Sequence, residues 1–282
     1  MLTLQQALTR ATSQLSAHPD LRLTALPDAA VLLMHTLGIS RATLIAHPER
    51  TLDRDQQAHY QRLLERRLRF EPIQYILGEV EFYGLTLRVT PAVLIPRPET
   101  EILVEAVIHR LEKQNQLQIA DVGTGSGAIA IALTQNLNAS VTAIDLSSEA
   151  LAIARENAQT HHLEDRIRFL ESDLLEAIPP NQTYDAIVSN PPYVPQSDAA
   201  TLHPQVRDFE PPLALFAGEA GLEIYRRLIP QAFALLKPNG LLALEIGHGQ
   251  RDAIAALLAG WQQIEFLPDL QQITRVALAR RP

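Results

Sequence analysis

The 282-residue sequence contains no cysteine. Disulfide frameworks, thiolate metal sites, iron–sulfur clusters and cysteine nucleophiles are therefore excluded, and this absence fits a reducing compartment. No apolar run approaches the roughly 18 residues that a membrane span needs, and the first residues lack the basic and apolar blocks of a signal peptide. We therefore expect a cytoplasmic protein with no membrane association.

Basic residues are fewer than acidic ones. The chain has 24 Lys and Arg against 32 Asp and Glu, which gives a formal net charge of -8. Residues 1–90 hold 10 basic and 9 acidic residues, whereas residues 91–282 hold 14 and 23. Nucleic-acid binding needs a basic surface that neutralises phosphates, so this composition disfavours direct nucleic-acid binding. The uneven charge indicates two parts with different partners.

The nine histidines form no array with the spacing of metal ligands. The pair His161-His162 has no third ligand in an H-x-x-x-H pattern and no spaced acids nearby, and a solvated loop accounts for it. We therefore expect no metal.

The first part of the chain has helical periodicity. Apolar residues recur every three or four positions from Leu2 to Phe70, which predicts a small helical bundle. Between Glu79 and Val89 the period falls to two, with Tyr83-Gly84 as the turn of a hairpin. We expect a helical domain over residues 1–78, a hairpin connector over 79–95 and a second domain over 96–282.

The second domain alternates between strand and helix patterns. The segments are LQIADVG, GAIAIALTQNL, SVTAID, SEALAIARENAQT, RIRFLESD, YDAIVSN, GLEIYRRLIPQAFALL and GLLALEIG. Repeated βα units predict an α/β fold with a mostly parallel sheet covered on both faces. QQIEFL and ITRVALAR follow with no helix between them, which predicts an antiparallel hairpin at the sheet edge. The proline-rich segment 191–218 is too long for an ordinary loop, which indicates a functional role.

The motif DVGTGSG, residues 121–127, follows an apolar strand and opens a helix. Glycine lets a ligand approach the backbone closely, and the helix N-terminus presents amide groups there. The spacing G-x-G-x-G departs from the dinucleotide pattern, and no Lys-Ser/Thr follows as in a phosphate-binding loop. Taken alone, the loop is also compatible with a simple tight turn.

Two acids follow the next two strands. Asp145 ends VTAID, where a carboxylate can accept hydrogen bonds from both hydroxyls of a ribose, so a nucleoside ligand is indicated. Asp173 in LESDLL can accept from the exocyclic amine of an adenine, with Leu174 against the ring. On position alone, each acid is also compatible with a helix or turn cap.

The motif NPPY, residues 190–193, follows the strand YDAIVSN at the same sheet edge as the glycine loop. The Asn190 side-chain oxygen and the Pro191 carbonyl can both accept from an NH2 group, and Tyr193 can lie against a flat amide or base. Such a site suits methyl transfer to a conjugated nitrogen, where positioning supplies the catalysis.

With these motifs the sequence resembles the PrmC/HemK family, the S-adenosylmethionine-dependent glutamine N5-methyltransferases of peptide chain release factors. The resemblance covers essentially the whole chain. Its carriers are the helical N-terminus, QYILG (74–78), EFYG (81–84), PRPETE (96–101), DVGTGSGAIA (121–130), Asp145, SNPPY (189–193) and FEP (209–211).

The resemblance implies a seven-stranded Rossmann-like class I methyltransferase domain with a terminal antiparallel hairpin, plus a small N-terminal helical bundle. It implies methylation of the glutamine in the Gly-Gly-Gln motif of class 1 release factors, with S-adenosyl-L-methionine as donor and S-adenosyl-L-homocysteine as product. The N-terminal bundle would help to dock the release factor, and we expect a monomer.

The resemblance also assigns roles to residues of this sequence. Asn190 and the Pro191 carbonyl would hold the substrate amide, and Asn190, Pro191 and Tyr193 would be catalytic. The substrate-binding set would be Asn190, Pro191, Pro192 and Tyr193. The cofactor-binding set would be Gly123, Thr124, Gly125, Ser126, Gly127, Asp145, Asp173, Leu174 and Asn190.

The sequence departs from the family pattern at two places. Many members have an aromatic residue where Leu174 stands, which bears on the adenine contact. The usual D-L-A-G-x-x-R pattern reads Asp269-Leu-Gln-Gln-Ile-Thr-Arg275 here, which bears on packing. Arg97 is compatible with a site role or a structural one, whereas Glu99 and Glu101 more simply favour the dipole of a first helical turn.

Three other functions share some of these features. An adenine-N6 nucleic-acid methyltransferase also acts on a planar conjugated amine, but the acidic charge of the second domain argues against it. A glutamine methyltransferase acting on a ribosomal protein would share the fold and NPPY. A catalytically idle adaptor would be expected to have a damaged glycine loop or NPPY, and both are intact.

Overall fold

The computed structural model describes residues 2–282. The chain forms two compact units. The helical unit extends to Gly78 and also includes Pro204–Phe209, a short segment from the proline-rich stretch. The sheet unit comprises Glu79–His203 and Glu210–Pro282.

The helical unit is built from short amphipathic helices. They are α1 (Leu4–Ser16), α2 (Ala25–Leu37), α3 (Arg41–Ala46), α4 (Arg54–Leu68) and α5 (Ile73–Leu77), together with α9 (Pro204–Arg207). Thr3 and Asp53 each form a capping box with a glutamine three residues later, which satisfies free amides at the starts of α1 and α4. One face of each long helix is buried in a common leucine-rich core.

A buried ion pair joins α2 to α4 inside this unit. Arg67 Nε donates to Asp28 Oδ2 at 2.7 Å, and only 4% of the arginine and 9% of the aspartate side chain is exposed. The hydroxyl of Thr24 donates to the same carboxylate oxygen at 2.8 Å. Arg67 Nη1 also donates to the carbonyl of Glu71 at 3.1 Å and to Gln205 Oε1 at 3.4 Å, which ties α9 to α4.

The sheet unit contains a two-stranded hairpin and a seven-stranded sheet. The strands are β1 (Glu79–Phe82), β2 (Leu85–Arg88), β3 (Leu117–Val122), β4 (Ala139–Asp145), β5 (Ile167–Glu171), β6 (Tyr184–Ser189), β7 (Leu236–Glu245), β8 (Gln262–Pro268) and β9 (Thr274–Arg280). The large sheet has the order β5-β4-β3-β6-β7-β9-β8. The five neighbouring strands β5, β4, β3, β6 and β7 pair in parallel, whereas β9 pairs antiparallel with β7 and β8. The predicted parallel sheet and terminal hairpin are confirmed.

Helices cover both faces of this sheet. They are α6 (Pro98–Leu111), α7 (Ala128–Asn136), α8 (Ser148–Thr160), α10 (Glu223–Leu235) and α11 (Arg251–Leu257). One apolar core contains side chains of α6, α7 and α8, and a separate one contains those of α10 and α11. The central strands are buried on both faces, as expected of a doubly wound sheet. No helix was predicted between β7 and β8, and α11 corrects this; a segment of seven residues is too short to show a clear helical period.

The two predicted turns have special backbone geometry. Tyr83 and Gly84 both have positive φ, 50° and 72°, as a two-residue hairpin turn requires. At the β8–β9 turn, Asp269 Oδ1 accepts from the amides of Gln271 and Ile273, and its Oδ2 accepts from Arg275 Nε at 3.0 Å. Gln272, with φ of 64°, occupies the glycine position of the family pattern. That departure therefore falls on the turn and leaves the Asp269–Arg275 contact in place.

No helix within residues 2–282 combines the length and the apolar character that a bilayer crossing requires.

The buried Arg67–Asp28 pair predicts a large loss of stability on truncation. Arg67→Ala leaves the Asp28 carboxylate buried without its cation, so we expect the free energy of unfolding to fall by about 3–5 kcal/mol. Urea denaturation measures this loss. Arg62→Ala, an exposed position on the same helix, is the control and should change stability by less than about 0.5 kcal/mol. A loss below about 1 kcal/mol for Arg67→Ala would show that the buried Asp28 carboxylate does not depend on this cation.

Candidate active site

The carboxyl ends of four parallel strands meet at one edge of the sheet. The segments that follow β3, β4, β5 and β6 line a single cavity there. Eight residues singled out in the sequence lie on its wall: Gly123, Gly125, Asp145, Asp173, Leu174, Asn190, Pro191 and Pro192. Four others do not line it: Thr124, Ser126, Gly127 and Tyr193. The cavity lies wholly within the sheet unit.

The glycine loop is held against the end of β4. The amides of Gly123 and Thr124 both donate to the carbonyl of Ile144, at 2.8 and 2.9 Å. Gly123 and Gly125 have φ of 74° and 55°, a conformation that side chains rarely adopt, so glycine is needed for this path. Thr124 and Ser126 are buried, which gives these two residues a structural environment behind the cavity wall.

Asp145 at the end of β4 receives two backbone hydrogen bonds. Its Oδ2 accepts from Gly125 N at 2.8 Å and its Oδ1 from Ser147 N at 2.9 Å. Burial raises the pKa of this carboxyl, and the surrounding backbone amides oppose that shift. Each carboxylate oxygen can accept more than one hydrogen bond, so the group retains capacity for hydroxyl donors in the cavity.

Asp121 lies beneath the glycine loop and joins it to α7. Its Oδ2 accepts from the Thr124 hydroxyl at 2.6 Å and from Ala130 N at 3.1 Å. Burial raises the pKa of Asp121 to about 7, although both hydrogen bonds lower it. Its Oδ1 is buried and has no hydrogen-bond partner among residues 2–282. The loop is therefore supported by a carboxyl group that is costly to ionise.

The segment after β5 forms one end of the cavity. Asp173 Oδ2 accepts from Arg227 Nη2 at 2.7 Å, and the same guanidinium nitrogen donates to Glu176 Oε1 at 3.0 Å. This contact orients the Asp173 carboxylate on the surface of the unit. Leu174 has φ of 50°, so a strained residue occupies the position next to it on the cavity wall.

Asn190 begins the NPPY segment, directly after β6. Its side-chain Nδ2 donates to the Thr100 hydroxyl oxygen at 3.0 Å, and that hydroxyl donates to Glu245 Oε2 at 2.6 Å. Thr100 lies in the first turn of α6, and Glu245 ends β7. Burial raises the pKa of Glu245 to about 7, opposed by the Thr100 hydrogen bond and by Arg275.

Tyr193 packs behind the NPPY segment. Its carbonyl accepts from Gln250 Nε2 at 3.1 Å, and a Cβ placed on Gly247 would come within 2.9 Å of Tyr193 Cδ2. The ring therefore lies directly on the backbone that follows β7. Burial raises the pKa of its phenol to about 12, so the hydroxyl is protonated at neutral pH.

Two loops complete the cavity wall. Residues 92–94 and part of 211–214 lie on it. The second stretch belongs to the segment 191–218, for which the sequence predicted a functional role, whereas none was predicted for residues 92–94. Arg97 Nη2 pairs with Glu210 Oε1 at 2.5 Å, and the amide of Ile95 donates to Glu210 Oε2 at 3.4 Å. Arg97 thus has a structural role, since it joins the two loops. Glu101 accepts from the amide of Tyr83 at 2.7 Å and fixes the hairpin.

Thr100 and Glu245 were not predicted as site residues from the sequence. Thr100 was quoted as part of PRPETE without a role, and Glu245 was included only in a strand. One signal was available for Glu245: it is the only charged residue in the segment GLLALEIG, which ends a central strand at the functional edge. A glutamate at the end of a buried strand is rarely buried itself unless a polar or charged partner contacts it.

The raised pKa of Asp121 predicts a pH-dependent stability. The folded protein keeps this proton up to about pH 7, whereas the ordinary pKa is 3.8. Wild-type stability therefore falls, relative to Asp121→Asn, as pH rises through this window. We expect the variant's free energy of unfolding, minus that of the wild type, to increase by about 2 kcal/mol from pH 5 to pH 8. Urea titrations test this, and a constant difference would contradict it.

Two family models match the chain. The PrmC N-terminal domain matches residues 6–78, and the methyltransferase small domain matches residues 98–206. Among solved structures, the ribosomal protein L11 methylase of Lactobacillus delbrueckii subsp. bulgaricus has a TM-score of 0.52 and 26% identity, covering 70% of this chain and 86% of its own. The T. thermophilus 16S rRNA N2 G1207 methyltransferase in complex with AdoMet and guanosine has a TM-score of 0.56 at 20% identity, covering 72% and 50%, which supports the fold.

Curated relatives match along the whole chain. The release factor glutamine methyltransferase of Koribacter versatilis is 45% identical over 284 residues, covering 100% of this chain and 99% of its own. Those of Coxiella burnetii and Deinococcus radiodurans are 41% and 40% identical, and each alignment covers at least 99% of both chains. The predicted resemblance to the PrmC/HemK family and the predicted Rossmann-like methyltransferase fold are confirmed. The chain belongs to the family of release factor glutamine methyltransferases.

Proposed function

We propose that this protein transfers the methyl group of S-adenosyl-L-methionine to the side-chain nitrogen N5 of a glutamine. The substrate is the glutamine of the Gly-Gly-Gln motif in class 1 peptide chain release factors. The observation that carries the proposal is the Asn190 side chain, which lies on the cavity wall beside the glycine loop with its Nδ2 already bonded to Thr100. Its Oδ1 has no hydrogen-bond partner among residues 2–282 and can accept from an amide NH2 group.

The cavity fits the proposed cofactor. Gly123 and Gly125 leave room beside the backbone, and Asp145 offers oxygen acceptors to two ribose hydroxyls. Leu174 and the loop over 211–214 provide apolar walls for a flat adenine ring. Asp173 also lines the cavity and can accept a hydrogen bond from the amine of that ring. Thr124, Ser126 and Gly127 do not line the cavity and support the glycine loop from behind its wall. When bound, S-adenosyl-L-methionine supplies an electrophilic methyl group on a sulfonium.

Positioning is the main contribution of the protein to the reaction. The amide nitrogen of glutamine is a poor nucleophile because its lone pair is delocalised into the carbonyl. Asn190 Oδ1 and the Pro191 carbonyl accept from the two N–H groups and fix the nitrogen with its lone pair toward the methyl group. Pro192 holds the chain extended. Tyr193 does not line the cavity and supports the NPPY segment from behind, where its carbonyl accepts from Gln250. The new N–CH3 bond would form as the bond between the methyl group and the sulfonium sulfur breaks, S-adenosyl-L-homocysteine would leave as a neutral thioether, and the nitrogen would lose one proton to solvent.

The two units have different roles in this proposal. The predicted helical domain over residues 1–78 docks the release factor, and the hairpin region 79–95 connects it to the methyltransferase domain over 96–282. The helical unit carries a charge close to neutral, whereas the rest is acidic. The protein acts as a monomer in the cytoplasm and needs no metal.

Label mapping tests the substrate directly. The protein is incubated with deuteromethyl S-adenosylmethionine and a class 1 release factor, and mass spectrometry locates the label. A ribosomal protein and adenine-containing DNA are run in parallel. We expect label on the glutamine of Gly-Gly-Gln. Label only on the ribosomal protein or only on DNA would overturn the substrate and keep the methyltransferase activity.

Asn190→Ala should separate catalysis from cofactor binding. The variant loses the acceptor that holds the amide, so we expect kcat to fall by about 100- to 1,000-fold. Cofactor affinity, measured by calorimetry, should stay within about threefold, because Asp145 and the glycine loop are intact. Asn138→Ala, an exposed asparagine, is the matched control. Normal turnover by Asn190→Ala would contradict the proposed mechanism.

Asp145→Ala should act on cofactor binding. Loss of charge-assisted hydrogen bonds to the ribose should raise the cofactor Kd by about 10- to 100-fold. Asp185→Ala is a matched control, since this strand residue also accepts from a backbone amide, that of Gln118 at 2.8 Å, and lies outside the cavity wall. Calorimetry showing an unchanged Kd for Asp145→Ala would remove this residue from the site.

A further inference from the structure

Two consecutive hydrogen bonds, which together we call the relay, link Asn190 through Thr100 to the buried carboxylate of Glu245. Asn190 Nδ2 donates to Thr100 Oγ1 at 3.0 Å, and Thr100 Oγ1 donates to Glu245 Oε2 at 2.6 Å. The three residues come from the loop after β6, from α6 and from the end of β7, and they are separated by 90 and 145 positions along the chain. Thr100 is 4% exposed and Glu245 is 2% exposed, so water does not compete for these bonds.

The direction of this chain follows from the chemistry of its last member. An ionised carboxylate can only accept hydrogen bonds. The single proton of the Thr100 hydroxyl is therefore committed to Glu245, and the Thr100 oxygen can only accept from Asn190. Asn190 must then turn its NH2 group toward Thr100, which leaves its Oδ1 as the group that faces away from the relay.

We infer that Thr100 and Glu245 are positioning residues that fix the Asn190 side-chain amide with its oxygen presented to the substrate NH2 group. The inference rests on the proposed function, because it explains how the acceptor for the substrate amide is oriented. Without the relay, an asparagine amide can turn over and present its NH2 group. That orientation places two donors against each other and cannot hold a substrate amide nitrogen.

The protonation state of Glu245 decides the direction of the relay. A protonated Glu245 can donate to Thr100, whose hydroxyl is then free to donate to Asn190 Oδ1 and stabilise the reversed amide. Burial raises the pKa of Glu245 to about 7, so this change falls near neutral pH. The titratable and charged groups that face Glu245 are Arg97, Glu99, Tyr193, Tyr225 and Arg275.

Substitutions at Thr100 test the relay by kinetics. Thr100→Val keeps the shape of the side chain and removes the hydroxyl, and we expect kcat to fall by about 10- to 100-fold with cofactor Kd within about twofold. Thr100→Ser keeps the hydroxyl and should restore kcat to within about threefold of wild type. Thr134→Val is the control, since it removes another buried hydroxyl, one that donates to Ala130 O within α7. Equal loss in Thr100→Val and Thr100→Ser would overturn the inference.

The pH profile gives a readout that a purely structural role would not move. At saturating cofactor, wild-type kcat should fall about tenfold from pH 8 to pH 6, because one proton reverses the relay. Glu245→Gln cannot titrate, so its kcat should be flat across this range. The same profile in both proteins would overturn the inference.

A spectroscopic test separates this inference from the substrate assignment. In the 15N-labelled protein without release factor, the side-chain NH2 signals of Asn190 are identified by their loss in Asn190→Ala. We expect them to shift with a midpoint near pH 7 in wild type and not in Glu245→Gln or Thr100→Val. If wild type shows this shift but leaves the release factor unlabelled, the relay stands and the substrate assignment fails. If the release factor is labelled and the signals do not titrate, the relay fails and the substrate assignment stands.

Discussion

The parallel pairing of β4, β3, β6 and β7 is the constraint on which the rest of the site depends. It brings the carboxyl ends of these strands to one edge, so residues far apart in sequence follow their strands into one cavity. The glycine loop after β3, Asp145 at the end of β4 and Asn190 after β6 are neighbours for this reason alone. Glu245 joins them because β7 is the next parallel strand.

Buried carboxyl groups give this edge its rigidity. Asp121 supports the glycine loop and Glu245 ends the relay to Asn190, and burial raises the pKa of both to about 7. Ionising such groups away from water lowers stability, but fixed dipoles do not have to reorganise during the reaction. A site that works by positioning a weak nucleophile gains most from groups of this kind. The stability lost here is offset by the two large apolar cores on the faces of the sheet.

Much of the fold was predictable from local patterns. Helical repeats located the long helices, apolar segments alternating with them located the strands of the large sheet, and a period of two with the turn Tyr83-Gly84 located the first hairpin. The glycine loop, Asp145 and NPPY were recognisable because each motif directly follows a strand. The short α11 was missed because seven residues carry little periodic signal. The inclusion of Pro204–Phe209 in the helical unit was also missed, because long-range contacts such as Arg67–Gln205 leave no local pattern.

The same limit applies to the site. Thr100 and Glu245 lie 145 positions apart, and only the folded sheet and α6 bring their side chains to 2.6 Å. Arg97 and Glu210 are a second such pair, and they join two loops of the cavity wall. Of these loops, the sequence predicted a role only for the one within residues 191–218. Local motifs thus identify groups that face a ligand, whereas the residues that orient those groups depend on the tertiary fold.

A structure of the protein with S-adenosyl-L-homocysteine and a release-factor peptide containing Gly-Gly-Gln tests the central claim most directly. The account predicts that the glutamine amide nitrogen lies within about 3.2 Å of Asn190 Oδ1 and of the Pro191 carbonyl oxygen, with Asn190 Nδ2 still bonded to Thr100. It also predicts the ribose against Asp145. A glutamine bound outside this cavity, or one that meets the NH2 group of Asn190, would contradict the account.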